Sequence, residues 1–358
     1  MAIHQNKKLK NLIHSFKDKA SIIKATFSIH RRSSSIKVAV VRATTHGSRN
    51  NPPSDSRLAA LLALGNDFRS STAFACIEAL MKRLHTTSSA AVAMKSLFTL
   101  HIIVIRGPFN LRDQVAFFPG YGGRNFLNLS AFRDVSDSEM NDLSSWVRWY
   151  AGVVEHNVTV DRKLDRILYF RSRNCEIVED CKEGRKRKID LSEELEVLVG
   201  FVERICEVPE SLYLQKKDLV YEVVRLVLEI YRLVQREIWV RVKEMGDRVE
   251  SLSLEELTEL VGVLARLENC RRKLSVLFVN RGKNEEFWEL VKITKGKLAE
   301  KKGMKEEKRM VMVEMRADSV ESTRFWNPFV EPGQLLWVPA GDGPLGPAIL
   351  PLTVSTVG

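Results

Sequence analysis

The chemistry this sequence offers is positive charge, and it is concentrated at one end. Residues 1–60 carry twelve Lys and Arg against two carboxylates, Asp18 and Asp55, which accounts for nearly all of the chain's formal charge of +11. Ammonium and guanidinium groups at this density raise a local potential that draws phosphate, whether on a lipid head group or a nucleic acid. Arg42 stands two residues before Thr44-Thr45-His46. A guanidinium there can fork onto phosphate oxygens. The triplet could add donors to the same ligand, or could be a helix end whose hydroxyls and imidazole satisfy local backbone groups. The candidate lipid-binding set is Lys24, Lys37, Arg42, His46, Arg49 and Arg57.

The element that carries the first of these charges is legible. Leu9, Leu12, Ile13 and Phe16 recur at helical spacing over residues 7–19, flanked by Lys7, Lys8, Lys10, Lys17 and Lys19. That is the pattern of a basic amphipathic helix. Such a helix can lie in a membrane interface with Leu12 and Phe16 down and Lys7, Lys8 and Lys10 toward anionic lipid. The same stripe could dock on the chain's own domain, and four apolar residues serve either purpose.

Beyond this segment, 358 residues with 44% hydrophobic and 28% charged side chains are ordinary for a globular protein. The hydrophilic start argues against a secretory signal peptide. Residues 90–105, the most apolar stretch, are interrupted by Lys95, Ser96 and His101 and read as a buried helix. His101 is expected to be a hydrogen-bonded core residue. Five cysteines without a CxxC pair suggest neither a disulfide framework nor a zinc site. No cofactor is expected.

Helical periodicity is found at 71–85, 90–106, 140–170, 190–206, 216–243 and 254–279, with no convincing alternating strand. The expected fold is an all-α stack over residues 1–300. After residue 300 prolines accumulate and the periodicity fades, so residues 301–358 are expected to form a disordered tail. Within that tail Asn327-Pro328-Phe329 offers an apolar anchor on a pre-bent backbone, suited to a small helical pocket.

Four ordered segments resemble one family. Val41-Arg42-Ala43-Thr44-Thr45-His46, Leu127-Asn128-Leu129-Ser130-Ala131-Phe132 and Trp146-Val147-Arg148-Trp149-Tyr150-Ala151 are similar to signatures of the ANTH domain of monomeric clathrin-assembly adaptors. Glu207-Val-Pro-Glu-Ser-Leu-Tyr213 is similar to its plant branch. The resemblance implies a right-handed superhelical stack with a longer C-terminal hairpin or bundle, and phosphoinositide binding at the N-terminal end. It further implies a tail that recruits clathrin and coat adaptors, and vesicle SNARE helices as partners of the later helices. Asn327-Pro328-Phe329 would be read by EH-type domains. The implied location is the cytoplasmic face of the plasma membrane, in clathrin-coated pits and vesicles, with the Golgi as a second site.

The departures matter as well. The family's second cation cluster is reduced here to Ser54-Asp55-Ser56-Arg57, with one cation beside a carboxylate, so attraction by total charge is expected to outweigh selection of one head group. Leu335-Leu336-Trp337-Val338 resembles a clathrin box without its closing acidic residue.

Two rival classes remain. An enzyme is poorly supported, because the seven histidines are scattered and no HExxH, GxSxG or Walker loop is present. A basic nucleic-acid-binding helical protein is the stronger alternative. Against it, the basic arm lacks interleaved aromatics beyond Phe16 and Phe27. No nucleic acid is therefore expected as a partner.

Overall fold

The computed structural model describes residues 16, 18–23, 31–47, 49–66, 70–117, 126–164, 191–278 and 284–321, with the side chains of 31–33, 70, 116–117 and 314–321 excepted. Among these residues there are helices and no strands. They are α1 (residues 18–23), α2 (Arg31–Ala43), α3 (Asp55–Ala63), α4 (Ser70–Thr86), α5 (Ala90–Arg106) and α6 (Phe109–Phe117). Then follow α7 (Ser138–Lys163), α8 (Leu191–Ile205), α9 (Asp218–Arg248), α10 (Leu254–Leu277) and α11 (Glu285–Glu321). The all-α expectation holds. Helices pack largely on their neighbours in sequence: α2 against α3 and α4, α4 against α5 and α6, α5 against α7, α7 against α8, and α8 against α9 and α10.

One continuous core runs through this stack, from Ile36 and Val40 of α2 to Val291 and Leu298 of α11. Its centre is α5, whose residues Ala90 to Val104 are all buried. Such a helix has no solvent face, which explains why it reads as apolar all round. Its three polar interruptions each have partners. Ser96 donates to Val92 O, Lys95 to Thr45 O at 2.9 Å, and His101 sits in a buried chain with Tyr150 and Asn157. The expected core histidine is thus hydrogen-bonded across α5 and α7. Asn157 is fully buried.

The family-like segments prove to be clasps between helices. Trp149 Nε1 donates to Ile205 O, Trp146 Nε1 to Ser211 O, and Arg148 to Phe132 O at 2.7 Å. Asn128 takes a left-handed backbone at φ 52, a conformation asparagine tolerates better than most residues. Gly152 lies against the Arg204 guanidinium, which a Cβ would meet at 1.7 Å. A side chain on Gly152 would therefore displace the partly exposed Arg204 guanidinium from this position. Between α8 and α9, Arg241 is buried against Glu194 and Glu237, a charged group that fixes the register of the two helices.

Two expectations need correction. The tail was expected to begin at 301, yet α11 continues to Glu321. Residues 301–316 are rich in Lys, Glu, Met and Arg, all good helix formers, with an i,i+4 pair between Lys302 and Glu306. The apolar periodicity fades there because the side chains from Glu306 to Val313 are exposed and no buried face is required. By its internal contacts the chain divides into Met1–Glu306 and Glu307–Gly358, the boundary falling inside this helix. The second correction concerns α2, α3 and α6, which lay outside the segments read as periodic. In α2 the apolar positions are the β-branched Ile36, Val38, Val40 and Val41, which weaken the helical signal. Residues 165–190 and the Asn327-Pro328-Phe329 motif lie outside the described residues.

Burial holds the His101 imidazole neutral, at about 3 against an ordinary 6.5, with Arg106 adding to the effect. Nε2 accepts from Asn157, so the ring proton is on Nδ1 and donates to Tyr150 Oη. A folded value below the unfolded one means that stability is fully present above pH 6.5 and declines as pH falls from 6.5 toward 3. The expected outcome is a melting temperature that drops over this window. His101→Leu should be less stable at pH 7 by about 2 kcal/mol, since Tyr150 and Asn157 lose a partner. It should also show a shallower decline with acid; parallel curves for the two proteins would contradict the assignment.

Candidate functional site

The residues singled out for phosphate binding separate into two groups, one facing solvent and one turned inward. The inward group is organised by Asp18 of α1, whose side chain is only 8% exposed. Its Oδ2 accepts from the His46 backbone N–H at 2.6 Å and from Thr45 Oγ1 at 3.0 Å. Its Oδ1 accepts from Arg83 at 2.7 Å and lies 2.8 Å from His46 Nδ1. A carboxylate can only accept, so Nδ1 carries the ring proton. Burial pushes the Asp18 carboxyl up, but the hydrogen bonds from His46 and Arg83 more than offset it and hold the group well below its ordinary range.

Arg83 also donates to Thr44 Oγ1 and Thr44 O, both at 3.2 Å, while Thr44 Oγ1 donates back to Val40 O. Lys95 Nζ reaches the Thr45 carbonyl from α5. Burial, reinforced by Arg57, lowers the Lys95 ammonium to about 8. The triplet Thr44-Thr45-His46 is therefore a helix end, as one reading of the sequence had it. The Thr44 hydroxyl donates to a local carbonyl and Thr45 Oγ1 accepts from the local Gly47 N–H, while Thr45 and His46 also reach across the chain to Asp18.

The solvent-facing group lies on the other side of α2. Between α2 and α3 there is an open cleft of about 540 Å³. Arg42 and Arg57 line it together with Ser34, Ser35 and Ser56. On α2 the lining positions 34, 35, 38, 39 and 42 share one face, as i,i+4 spacing requires. Both arginines are exposed. α2 ends at Ala43, and the connection through Asn50-Asn51-Pro52-Pro53 returns the chain as α3 from Asp55, which brings the two arginines together. Two guanidiniums and three hydroxyls around one opening form a donor set for phosphate oxygens.

The remaining candidates are placed as follows. Lys37 is exposed on α2 but is not among the cleft-lining residues. Arg49 is turned to Asp137 at 3.1 Å, where it lines a small crevice with Asn50, Glu139 and Lys217. His46 is engaged by Asp18 with its side chain 10% exposed. Phe16 is 65% exposed, with Lys19 Nζ 5.9 Å from its ring centre, whereas Asp18, two residues further on, is buried. Lys7, Lys8, Lys10, Leu12 and Lys24 lie outside the described residues. Sequence reasoning missed Asp18, Arg83 and Lys95. The usable signal was Lys95, because a lysine inside an otherwise apolar buried helix demands a partner.

The helical stack, with Arg42 and Arg57 on the cleft between α2 and α3, defines an all-α helical domain class. The ANTH domain profile matches residues 35–285, and the chain belongs to the ANTH-domain family. Two Arabidopsis thaliana proteins that carry the provisional name clathrin assembly protein are similar over most of their length. One is 39% identical over 295 residues, 80% of each chain, and the other 31% identical over 307 residues, 83% of this chain and 87% of its own. Among the described residues no helix is long and apolar enough to cross a membrane.

Removing the Asp18 carboxylate takes this acceptor from Arg83, the Thr45 hydroxyl, and the His46 backbone N–H and imidazole. Asp18→Ala should cost about 3 kcal/mol in urea unfolding, the scale for breaking a buried ion pair. Phe16→Glu, two residues away and exposed, should leave unfolding unchanged within about 0.5 kcal/mol. Equal losses for the two would contradict the division into inward and outward faces.

Proposed function

We propose that this protein is a peripheral adaptor that docks on anionic membranes through its N-terminal end and promotes clathrin-coat assembly there. The observation that carries the reading is the convergence of Arg42 and Arg57, with Ser34, Ser35 and Ser56, on one open cleft. Membrane phosphate meets two guanidiniums there, each of which can make a bidentate contact. Lys19 and Lys37 stand nearby in sequence as exposed cations that add general attraction, on the order of 1 kcal/mol each at an anionic surface. Phe16, exposed beside Lys19, supplies an apolar group for the interface. Asp55 at the start of α3 adds a carboxylate close in sequence to Arg57, which supports binding governed by total charge over selection of one phosphoinositide.

Family membership and the relatives' names support a clathrin-assembly role at coated pits and vesicles, without catalysis. The C-terminal Asn327-Pro328-Phe329 then serves as the peptide read by an EH-type domain, while direct clathrin contact, SNARE binding and a Golgi location rest on the family alone.

Flotation with liposomes is the test. Binding should weaken steeply with salt, as the screening length falls from roughly 10 Å at 0.1 M toward 3 Å at 1 M. Arg42→Glu with Arg57→Glu should abolish most of it. Salt-insensitive binding, an unaffected double variant, or tighter binding to nucleic acid than to vesicles would overturn the reading. For the tail, Phe329→Ala should remove most binding to an isolated EH domain, expected near 1 μM or about −8 kcal/mol. Binding unchanged by Phe329→Ala would exclude the motif as the contact.

A further inference from the structure

The cleft has a serine in its wall and two arginines before it in the sequence, a combination that the head-group reading leaves unused. Ser35 is exposed and lines the cleft that Arg42 and Arg57 share, whereas Ser34 beside it is 8% exposed. Arg31 and Arg32 stand four and three residues ahead of Ser35. We propose that Ser35 is a phosphoacceptor for an arginine-directed protein kinase, and that its phosphate occupies the cleft in place of a membrane phosphate. The proposal rests on the head-group reading for its consequence but not for its chemistry.

A kinase whose substrate groove is acidic selects a serine preceded by arginines through charge complementarity. The first five residues of α2 are Arg31, Arg32 and three serines, with no acidic residue in the first turn. Cations there oppose the helix dipole and serine is a weak helix former, so the turn opens at low cost for a kinase that binds extended chain. In the transfer, Ser35 Oγ forms a bond to the γ-phosphorus of a nucleoside triphosphate and the bond from that phosphorus to the bridging oxygen breaks. The hydroxyl proton passes to the kinase's base, and the nucleoside diphosphate leaves.

The product carries a charge of about −1.5 to −2 at neutral pH. Ser35 and Arg42 lie seven residues apart on one face of α2, about 10 Å along the axis. Helical side chains lean toward the N-terminus, so the Arg42 arm extends toward Ser35. A phosphate on Ser35 falls within the reach of Arg42 and cancels the charge of the two arginines. The same group that attracts a lipid phosphate would then be satisfied from within the chain. This makes the cleft an electrostatic switch.

The test uses the full chain, ATP and a purified arginine-directed kinase, with the site mapped by mass spectrometry and the product followed in two ways. Phosphate should be found on Ser35, with no label on that peptide in Ser35→Ala. The phosphoserine ³¹P resonance should titrate below the ordinary value of about 6, and Arg42→Gln with Arg57→Gln should return it there. Flotation on vesicles containing phosphatidylserine should weaken by about tenfold or more. Label confined to other residues, or a ³¹P titration at the ordinary value, would overturn the proposal. So would a low-titrating phosphate on a chain that floats as well as the unmodified one. An unmodified chain that fails to float, with the phosphate still titrating low, would sink the head-group reading and support the phosphoacceptor.

Discussion

The N-terminal architecture depends on one buried carboxylate. Asp18 cannot sit at 8% exposure without compensation, because an isolated charge in such a site costs several kcal/mol. Its compensation comes from two separate parts of the chain, the turn after α2 and Arg83 of α4, which it ties to α1. Lys95 extends the tie to α5 through the Thr45 carbonyl. Four elements that share little local sequence are thereby fixed around a single group. The end of α2 is held rigidly from one side, which leaves its other face to present Arg42 to solvent in a fixed register with α3.

The same arrangement divides the positive charge into cations that are used and cations that are available. Arg83 and Lys95 are spent on Asp18 and Thr45, and Arg49 on Asp137. Arg42, Arg57, Lys37 and Lys19 remain exposed. Arg83 and Lys95 lie beyond the first sixty residues, so of that segment's described cations this division withdraws Arg49 from the surface. It also explains why two arginines in one cleft matter more than the sum of the cluster, since fork-shaped donors around a common opening act on one phosphate together.

Sequence reading recovered the long helices because each has one face to bury; α8, with Leu195, Leu198, Val202 and Ile205 inside, is a clear case. It lost α2, where β-branched residues blur the signal, and it ended the helical region early at 301, where a helix without a buried face has no apolar stripe. At the site, Arg42 and Arg57 were each visible, but their convergence was not. Fifteen residues and a Pro-Pro turn separate them, and only the packing of α2 on α3 sets the distance. Asp18 entered the sequence reading merely as a charge to subtract. Its role depends on Arg83, which lies 65 residues away, and no local pattern announces a contact of that range. His46 and Arg49 were named as ligands by residue type and neighbourhood, and no local pattern announced that each stands against a carboxylate, Asp18 and Asp137.

The central claim is that membrane phosphate is received between α2 and α3, and a crystal structure with a soluble short-chain phosphoinositide tests it most directly. The account predicts phosphate density bridging Arg42 and Arg57, with the Ser35 or Ser56 hydroxyl within hydrogen-bond distance and the Asp18 contacts unchanged. Phosphate bound elsewhere with this cleft empty, or His46 and Arg83 released from Asp18 to reach the ligand, would contradict it.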